Sequence, residues 1–329
     1  MPELRVDPLT GHKTIIADER SGRPGSGLAP APPDPPIDPE TDPFLEGHED
    51  RTPPELDALR PDGSAPDTPG WQVRVVPNLY PAVAADARAP DREARVDLFT
   101  TTAAHGHHEV IVNTPRPVSS LLDLEPDELL AAMGMWRRRV AHHVQHGAAC
   151  VHLFVNDGRA AGASQPHTHA QLVALDFVPA LVARERERFG AYATTTMGGN
   201  LLADLVREEV RLDQRIVAID DEVVVLAPYA SGSPYQLLLA PRTPSMRFED
   251  PGPLGAAALH DAIGRLARHF GHLPALNLWV RTAPRGAEHY CWRIDIRPRF
   301  GTAAGLELGT GIDLNAISPE RAARELRSV

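Results

Sequence analysis

The residues from Asn156 to Gln171 read N-D-G-R-A-A-G-A-S-Q-P-H-T-H-A-Q, a stretch dense in side chains able to do chemistry at close range. In an extended chain successive side chains alternate between faces, so His167, His169 and Gln171 are expected to share one face. Two imidazoles and an amide in a row are a costly choice for a core, because each buried polar group needs a partner. Before them lies a loop with Gly158, Gly162 and Ser164, whose backbone amides and hydroxyl could approach an anion closely. A histidine beside such a cradle suggests attack on phosphorus. Neutral imidazole is a good nucleophile near pH 7 and a good leaving group afterwards, which suits a covalent nucleotidyl intermediate. His169 lies deeper in the strand and is assigned as the nucleophile. His167, after Pro166 at the strand mouth, is placed to orient it. Gln171 offers two N–H donors and no acidic proton, so it can steady a phosphate oxygen without protonating a leaving group. With 15 histidines in the chain, an i, i+2 pair is more often incidental or half of a metal site. The loop before this pair and the amide after it set it apart.

The elements that must hold this segment follow from hydrophobic periodicity. Strands are predicted at Thr14–Ala17, Trp71–Tyr80, Ala94–Thr101, His108–Asn113, Cys150–Asn156 and His167–Leu175, with a helix from Pro126 to His146. Helices over Val178–Phe189 and Leu201–Leu212 lead into strands Arg215–Ile219, Val223–Ala227 and Tyr235–Ala240. A helix from Pro253 to Phe270 and strands Leu276–Arg281 and Tyr290–Ile296 complete the reading. EVIVNT, helix, HLFVND and HTHAQLVAL match YQLLLA, helix, NLWVRT and YCWRIDIRP in order and spacing, which indicates an internal duplication. The chemistry is not duplicated: His-Thr-His in the first copy faces Cys-Trp-Arg in the second. The expected fold is α+β, mainly antiparallel sheet with flanking helices, in two halves at residues 1–190 and 191–329. Between Gly22 and Gly70 fall thirteen of the 33 prolines, so this arm is expected to be a long wrapped loop without regular sheet or helix.

Composition narrows the function classes. At 329 residues, 42% hydrophobic and 23% charged, the chain reads as globular rather than disordered. A net charge of −11 argues against a general affinity for nucleic-acid backbone. Of 33 basic residues only Lys13 is lysine, so a bound phosphate must be held by arginine, backbone amides, histidine or neutral side chains. No run approaches the roughly 20 apolar residues of a membrane helix. The first residues, MPELRVDPLTG, lack the basic start and apolar run of a signal peptide, and a cytoplasmic location is expected. Two cysteines, Cys150 and Cys291, cannot build a disulfide framework or a four-cysteine zinc site.

The H-x-H-x-Q at His167–Gln171 resembles the signature of the galactose-1-phosphate uridylyltransferase family, a branch of the histidine-triad superfamily. R-V-D-P-L-T-G at Arg5–Gly11 and R-S-G-R-P at Arg20–Pro24 are similar to the family's N-terminal signature and its phosphate-handling arginines, here Arg20 and Arg23. V-V-P-N-L-Y-P-A around Asn78 resembles its nucleotide-contacting strand, and G-L-E-L-G-T-G at Gly305–Gly311 its sugar-binding segment, with Glu307 as the acid. The resemblance implies two histidine-triad-like halves forming a half-barrel, a homodimer and a ping-pong nucleotidyl transfer through His169. It places Asn156, Ser164 and Gln171 around the nucleotide phosphates, beside the Gly162 of the loop. The positions of the family's zinc cysteines read Asp42 and Leu45 here, and a further zinc histidine falls near Pro117. Of that ligand set only His167 remains, with His48 nearby, so no cofactor and no structural zinc are expected. A second cysteine pair of some relatives falls near Asn200 and Ala203, and the histidines of a second metal site at Arg281, Asp295 and Arg297, again without those ligands.

The activity this implies is transfer of a nucleoside monophosphate from a nucleotide sugar to a sugar 1-phosphate. Phosphorolysis of an ADP-sugar or a dinucleoside polyphosphate by the same histidine chemistry is the alternative within the class. A non-catalytic nucleotide-binding protein is the alternative outside it, and retention of a covalent nucleotide label after denaturation separates the two.

Overall fold

The computed structural model describes residues 1–22, 28–88 and 98–329. The first half contributes strands β1 (Glu3–Val6), β2 (Lys13–Ile16), β3 (Asp57–Leu59), β4 (Val73–Pro77), β5 (Gly106–Val112), β6 (Cys150–Asp157) and β7 (His169–Leu175). Helix α1 (Pro126–Gln145) lies within the same half, and α2 (Ala180–Thr195) runs across the boundary expected at residue 190. After α3 (Leu201–Leu212) come β8 (Ile216–Ile219), β9 (Val223–Leu226), β10 (Leu237–Pro241), α4 (Ala256–Phe270), β11 (Leu276–Arg281) and β12 (Arg293–Pro298). The chain ends in α5 (Gly305–Thr310), β13 (Asp313–Asn315) and α6 (Pro319–Arg327), elements outside the repeat.

Among the described residues ten strands form one sheet in the order β3-β4-β5-β7-β6-β11-β12-β10-β9-β8. Its neighbouring strands are antiparallel throughout. The sheet stays open, with β3 and β8 as its edges, and β1, β2 and β13 form a separate small sheet. The two copies of the repeat, β5-α1-β6-β7 and β10-α4-β11-β12, meet at the centre of the sheet, where β6 pairs with β11. Phe154 stands opposite Trp279, its counterpart in the repeat, so an approximate two-fold axis passes between them. Register places β10 two residues further along than the sequence match: Ile111 opposes Ala170 and Leu239 opposes Ile294, so EVIVNT corresponds to the run from Leu237 onward.

Period-two alternation sorts the two faces of the central strands. Leu153, Val155, Leu172, Leu278 and Ile294 point to the helix side and join Met133, Trp136, Ile263 and Leu266 of α1 and α4 in one core. Trp136 is fully buried, and its indole N–H donates to Asn113 Oδ1 at 3.0 Å. Glu109 of β5 is tied to α1 by Arg139 (2.6 and 2.9 Å) and His143 (2.7 Å). Burial alone would raise the Glu109 pKa, but these donors hold it down at about 2. On the opposite face His152, Phe154, Asn156 and Gln171 are only half-buried, and the candidate site lies there.

Three expectations need correction. The proline-rich arm contains a strand after all: Asp57–Leu59 pairs with Val73–Val75, in the proline-free stretch between Pro54 and Pro61. Of the expected strand Ala94–Thr101, residues 94–97 lie outside the described residues and Leu98–Thr101 is not extended in a sheet. His167 and Thr168 precede β7 instead of belonging to it.

Candidate active site

His169 opens β7 and is only 5% exposed. Its Nδ1 lies 2.8 Å from the carbonyl oxygen of His167, and because a carbonyl only accepts, Nδ1 must carry the hydrogen. The lone pair of the neutral ring is therefore on Nε2, which no protein group engages among the described residues. Burial lowers the His169 pKa below the ordinary imidazole value, while the bond to the His167 carbonyl opposes this. The ring thus stays neutral, and nucleophilic, at physiological pH. Phe44 packs edge-on against it with ring centroids 5.3 Å apart.

His167 does something other than share an open face with Gln171. It lies outside the strand, so alternation does not govern its direction, and its ring is completely buried. Nδ1 is 2.7 Å from Asp42 Oδ2 and Nε2 is 2.8 Å from the carbonyl oxygen of Thr114. Both ring nitrogens face acceptors, an arrangement that suits an imidazolium donating twice, paired with a carboxylate. Burial works against ionisation of Asp42, yet its bond to His167 outweighs this and its pKa is lowered. The donor set does not fit a tetrahedral zinc: Leu45 and Pro117 have no ligating side chain, and His48 Nδ1 is spent on the Asp42 carbonyl at 2.7 Å. Among the described residues no cluster of three or more His, Cys, Asp and Glu side chains is arranged to hold a metal.

Register carries the site across the sheet. One step beyond the last paired residues of β6 and β7, Asn156 comes opposite His169, and Asn156 in turn opposes Asn277 of β11. Asn277 Nδ2 donates to Asn156 Oδ1 at 2.9 Å and to the Ala161 carbonyl at 2.8 Å, so a residue of the second half fastens both Asn156 and the glycine loop. Gly162 adopts φ +97°, with Asn156 Nδ2 3.8 Å from where a Cβ would stand. The loop is less of an amide cradle than expected. The N–H groups of Ala161, Gly162 and Ala163 close a 3-10 turn back onto Gly158 and Arg159, and the Arg159 N–H is taken by Asp34. Ser164 remains exposed at the end of the turn.

Gln171 lies two residues further along β7, opposite Val110. Its Oε1 is 3.0 Å from Nε2 of His108, which also lies 3.2 Å from Asn78 Nδ2. The Asn78 Oδ1 accepts from the Tyr80 N–H at 2.9 Å. Asn78, Gln171, His169 and Asn156 therefore occupy one neighbourhood on the half-buried face.

Arg20 and Glu307 lie elsewhere. They line a separate cavity of about 300 Å³ with Gly232, Ser233, Arg297 and Asp313. Arg20 follows β2 and Glu307 precedes β13, and the two strands pair in parallel, which brings these residues together. Asn277 opposes Arg297, so this cavity begins three strands from His169, roughly 14 Å at ~4.8 Å per strand. Arg23 is outside the described residues. Sequence reasoning missed His108 and Asn277. The even spacing of His108 from Val110 and Val112 was a usable signal; Asn277 carried none, because its role depends on the pairing of β6 with β11.

A family model described as the N-terminal domain of galactose-1-phosphate uridyl transferase matches residues 1–179, and a domain of unknown function matches residues 137–328. The sequence is 27% identical to an ADP-glucose phosphorylase of Arabidopsis thaliana, over 100% of this chain and 93% of that protein. It is also 27% identical to a probable galactose-1-phosphate uridylyltransferase of Drosophila melanogaster, over 100% and 95% respectively. Among solved structures, that of an ADP-glucose phosphorylase from Arabidopsis thaliana with bound ADP-glucose aligns with a TM-score of 0.82 at 26% identity, covering 100% of this chain and 99% of that one.

Proposed function

Because the chain belongs to the galactose-1-phosphate uridylyltransferase family of enzymes, within the histidine-triad superfamily, we propose that it transfers a nucleoside monophosphate from a nucleotide sugar to an acceptor phosphate through His169. The observation that carries this reading is the neutral, buried imidazole with Nδ1–H held by the His167 carbonyl and its Nε2 lone pair unengaged. In the first step Nε2 attacks the α-phosphorus, the bond from phosphorus to the bridging oxygen breaks, and sugar 1-phosphate departs. In the second an oxygen of the acceptor phosphate attacks the same phosphorus, the N–P bond breaks, and the imidazole returns to its neutral form. In the first step the leaving group is a phosphate, stable as an anion, and in the second it is the imidazole, which departs neutral because Nδ1 already carries its hydrogen, so neither step requires an acid. An amide at Gln171, where a proton donor could stand, is consistent with that chemistry.

The acceptor is either a sugar 1-phosphate or inorganic phosphate. Full-length similarity to an ADP-glucose phosphorylase favours the second as strongly as similarity to uridylyltransferases favours the first. The test is incubation with ADP-glucose or UDP-glucose labelled at the α-phosphorus, followed by denaturation and counting of protein-bound label. Release of that label by phosphate or by galactose 1-phosphate then identifies the acceptor. Absence of label with either donor refutes the covalent reading and leaves a nucleotide-binding protein.

A further inference from the structure

His108 lies on β5, two residues before the Val110 that opposes Gln171, and its ring is engaged from both sides. Nδ1 is 3.1 Å from the backbone nitrogen of Ala82. An amide N–H only donates, so Nδ1 holds the lone pair and the neutral ring carries its hydrogen on Nε2. That hydrogen has two neighbours, Gln171 Oε1 at 3.0 Å and the Asn78 amide nitrogen at 3.2 Å. The Asn78 Oδ1 is occupied by the Tyr80 N–H, so the amide nitrogen it turns toward His108 is itself a donor. The Nε2 hydrogen is left with one acceptor, Gln171 Oε1.

A glutamine presents oxygen on one edge of its amide and NH2 on the other. With the oxygen fixed on His108, the NH2 is turned away from β5, on the sheet face Gln171 shares with His169. We propose that His108 is a positioning residue that locks the Gln171 amide with its N–H donors, and not its oxygen, directed at one non-bridging oxygen of the phosphoryl group transferred to His169. The lone pair that Ala82 imposes on Nδ1 is what makes the lock directional: the backbone at residue 82 chooses the tautomer, the tautomer chooses the edge of Gln171, and that edge meets the negative charge on phosphorus. Without His108 the amide can turn over and set its oxygen against a phosphate oxygen, exchanging attraction for repulsion. This inference rests on the nucleotidyl-histidine reading above.

The experiment measures single-turnover nucleotidylation with a nucleotide sugar bearing sulfur in place of one or the other non-bridging oxygen at the α-phosphorus. A donor aimed at one oxygen makes the wild-type protein discriminate between the two diastereomers. His108→Leu is expected to slow nucleotidylation by about 10- to 100-fold, the scale of one hydrogen bond to a charged group, and to collapse that discrimination. His108→Gln places an amide N–H near the Nε2 position and should restore most of both. In a Gln171→Ala background, His108→Leu should cost nothing further, since the two residues act as one unit. Unchanged discrimination in His108→Leu, equal loss in His108→Gln, or full additivity with Gln171→Ala overturns the inference. A wild-type protein that forms no adduct overturns the nucleotidyl-histidine reading itself, an outcome distinct from these.

Discussion

Replacing Asp42 by alanine tests how the proposed nucleophile is held in place. Both side chains of the Asp42–His167 pair are wholly inaccessible, with 2.7 Å between Oδ2 and Nδ1. Removing one partner of a buried pair costs about 3–5 kcal/mol, because the remaining group keeps its desolvation penalty without its compensation. In a chain of this size about 2 °C of melting temperature corresponds to 1 kcal/mol, so Asp42→Ala is expected to melt roughly 6–10 °C lower. Asp42→Asn, which keeps an acceptor of the same shape, should lose about half as much. The same substitution should slow nucleotidylation by about 100-fold, since the carbonyl that holds Nδ1 of His169 belongs to His167 and a displacement of about 1 Å in the attacking atom is enough for such a loss. The effect has a pH signature. The folded-state pKa of Asp42 lies below its ordinary value of 3.8, so the unfolded chain binds the proton more readily. The stabilisation is complete above that value and disappears as pH falls through it toward the folded pKa. Calorimetry of both proteins should show a constant gap in melting temperature above about pH 5 that narrows below pH 4. A gap under 2 °C at neutral pH, or one that widens on acidification, refutes the reasoning.

Four other outcomes are expected. His169→Ala should abolish adduct formation by at least about 10³-fold with the melting temperature preserved, and in the wild type the acid limb of nucleotidylation should fall below pH 6.5, because burial lowers the His169 pKa from that value; an adduct in the mutant would refute the assignment of His169 as the nucleophile. Gln171→His should raise hydrolysis relative to transfer, because an imidazolium can donate a proton where the amide cannot, and product analysis with and without acceptor phosphate reads the ratio. Light scattering at micromolar concentration should give a homodimer, the state that the family resemblance implies; a monomer mass near 36 kDa would overturn that expectation. Elemental analysis after dialysis against a chelator should find no stoichiometric zinc; one zinc per chain, or a large drop in melting temperature on chelation, would overturn the reading that the ligand set is lost.

What the sequence disclosed divides along local and non-local lines. Strands β6 and β11 and helix α3 lie within a residue of the positions their periodicity predicts, because alternation and 3.6-residue spacing are written in contiguous residues. The duplication was visible for the same reason, although the register of β10 was misplaced by two residues: leucine-rich runs look alike at any even offset. His167 was misdirected because alternation was extended past the start of the strand, where the loop sets the ring's direction toward Asp42, 125 residues away. The amide cradle was overestimated because its N–H groups fold back on Gly158 and Arg159, which a pattern of glycines does not reveal. Arg20 and Glu307 were grouped with the nucleophile by family position, and the parallel pairing of β2 with β13 is the non-local contact that brings them together around their own cavity.

The seam between β6 and β11 also constrains how this protein can be cut or recombined. Asn277 lies past any boundary between the halves, yet its amide pins the turn and the asparagine next to the nucleophile. A first half expressed alone would keep His169, Gln171 and the α1 core, but it would expose β6 as a raw edge and release the turn at Ala161. Complementing fragments would therefore regain activity only on re-forming this one strand pair. Exchange of second halves between relatives should succeed or fail on the residue at position 277 before anything farther from the seam. The copy without counterparts of His167 and His169 is in this way tied to the chemistry of the other through Asn277.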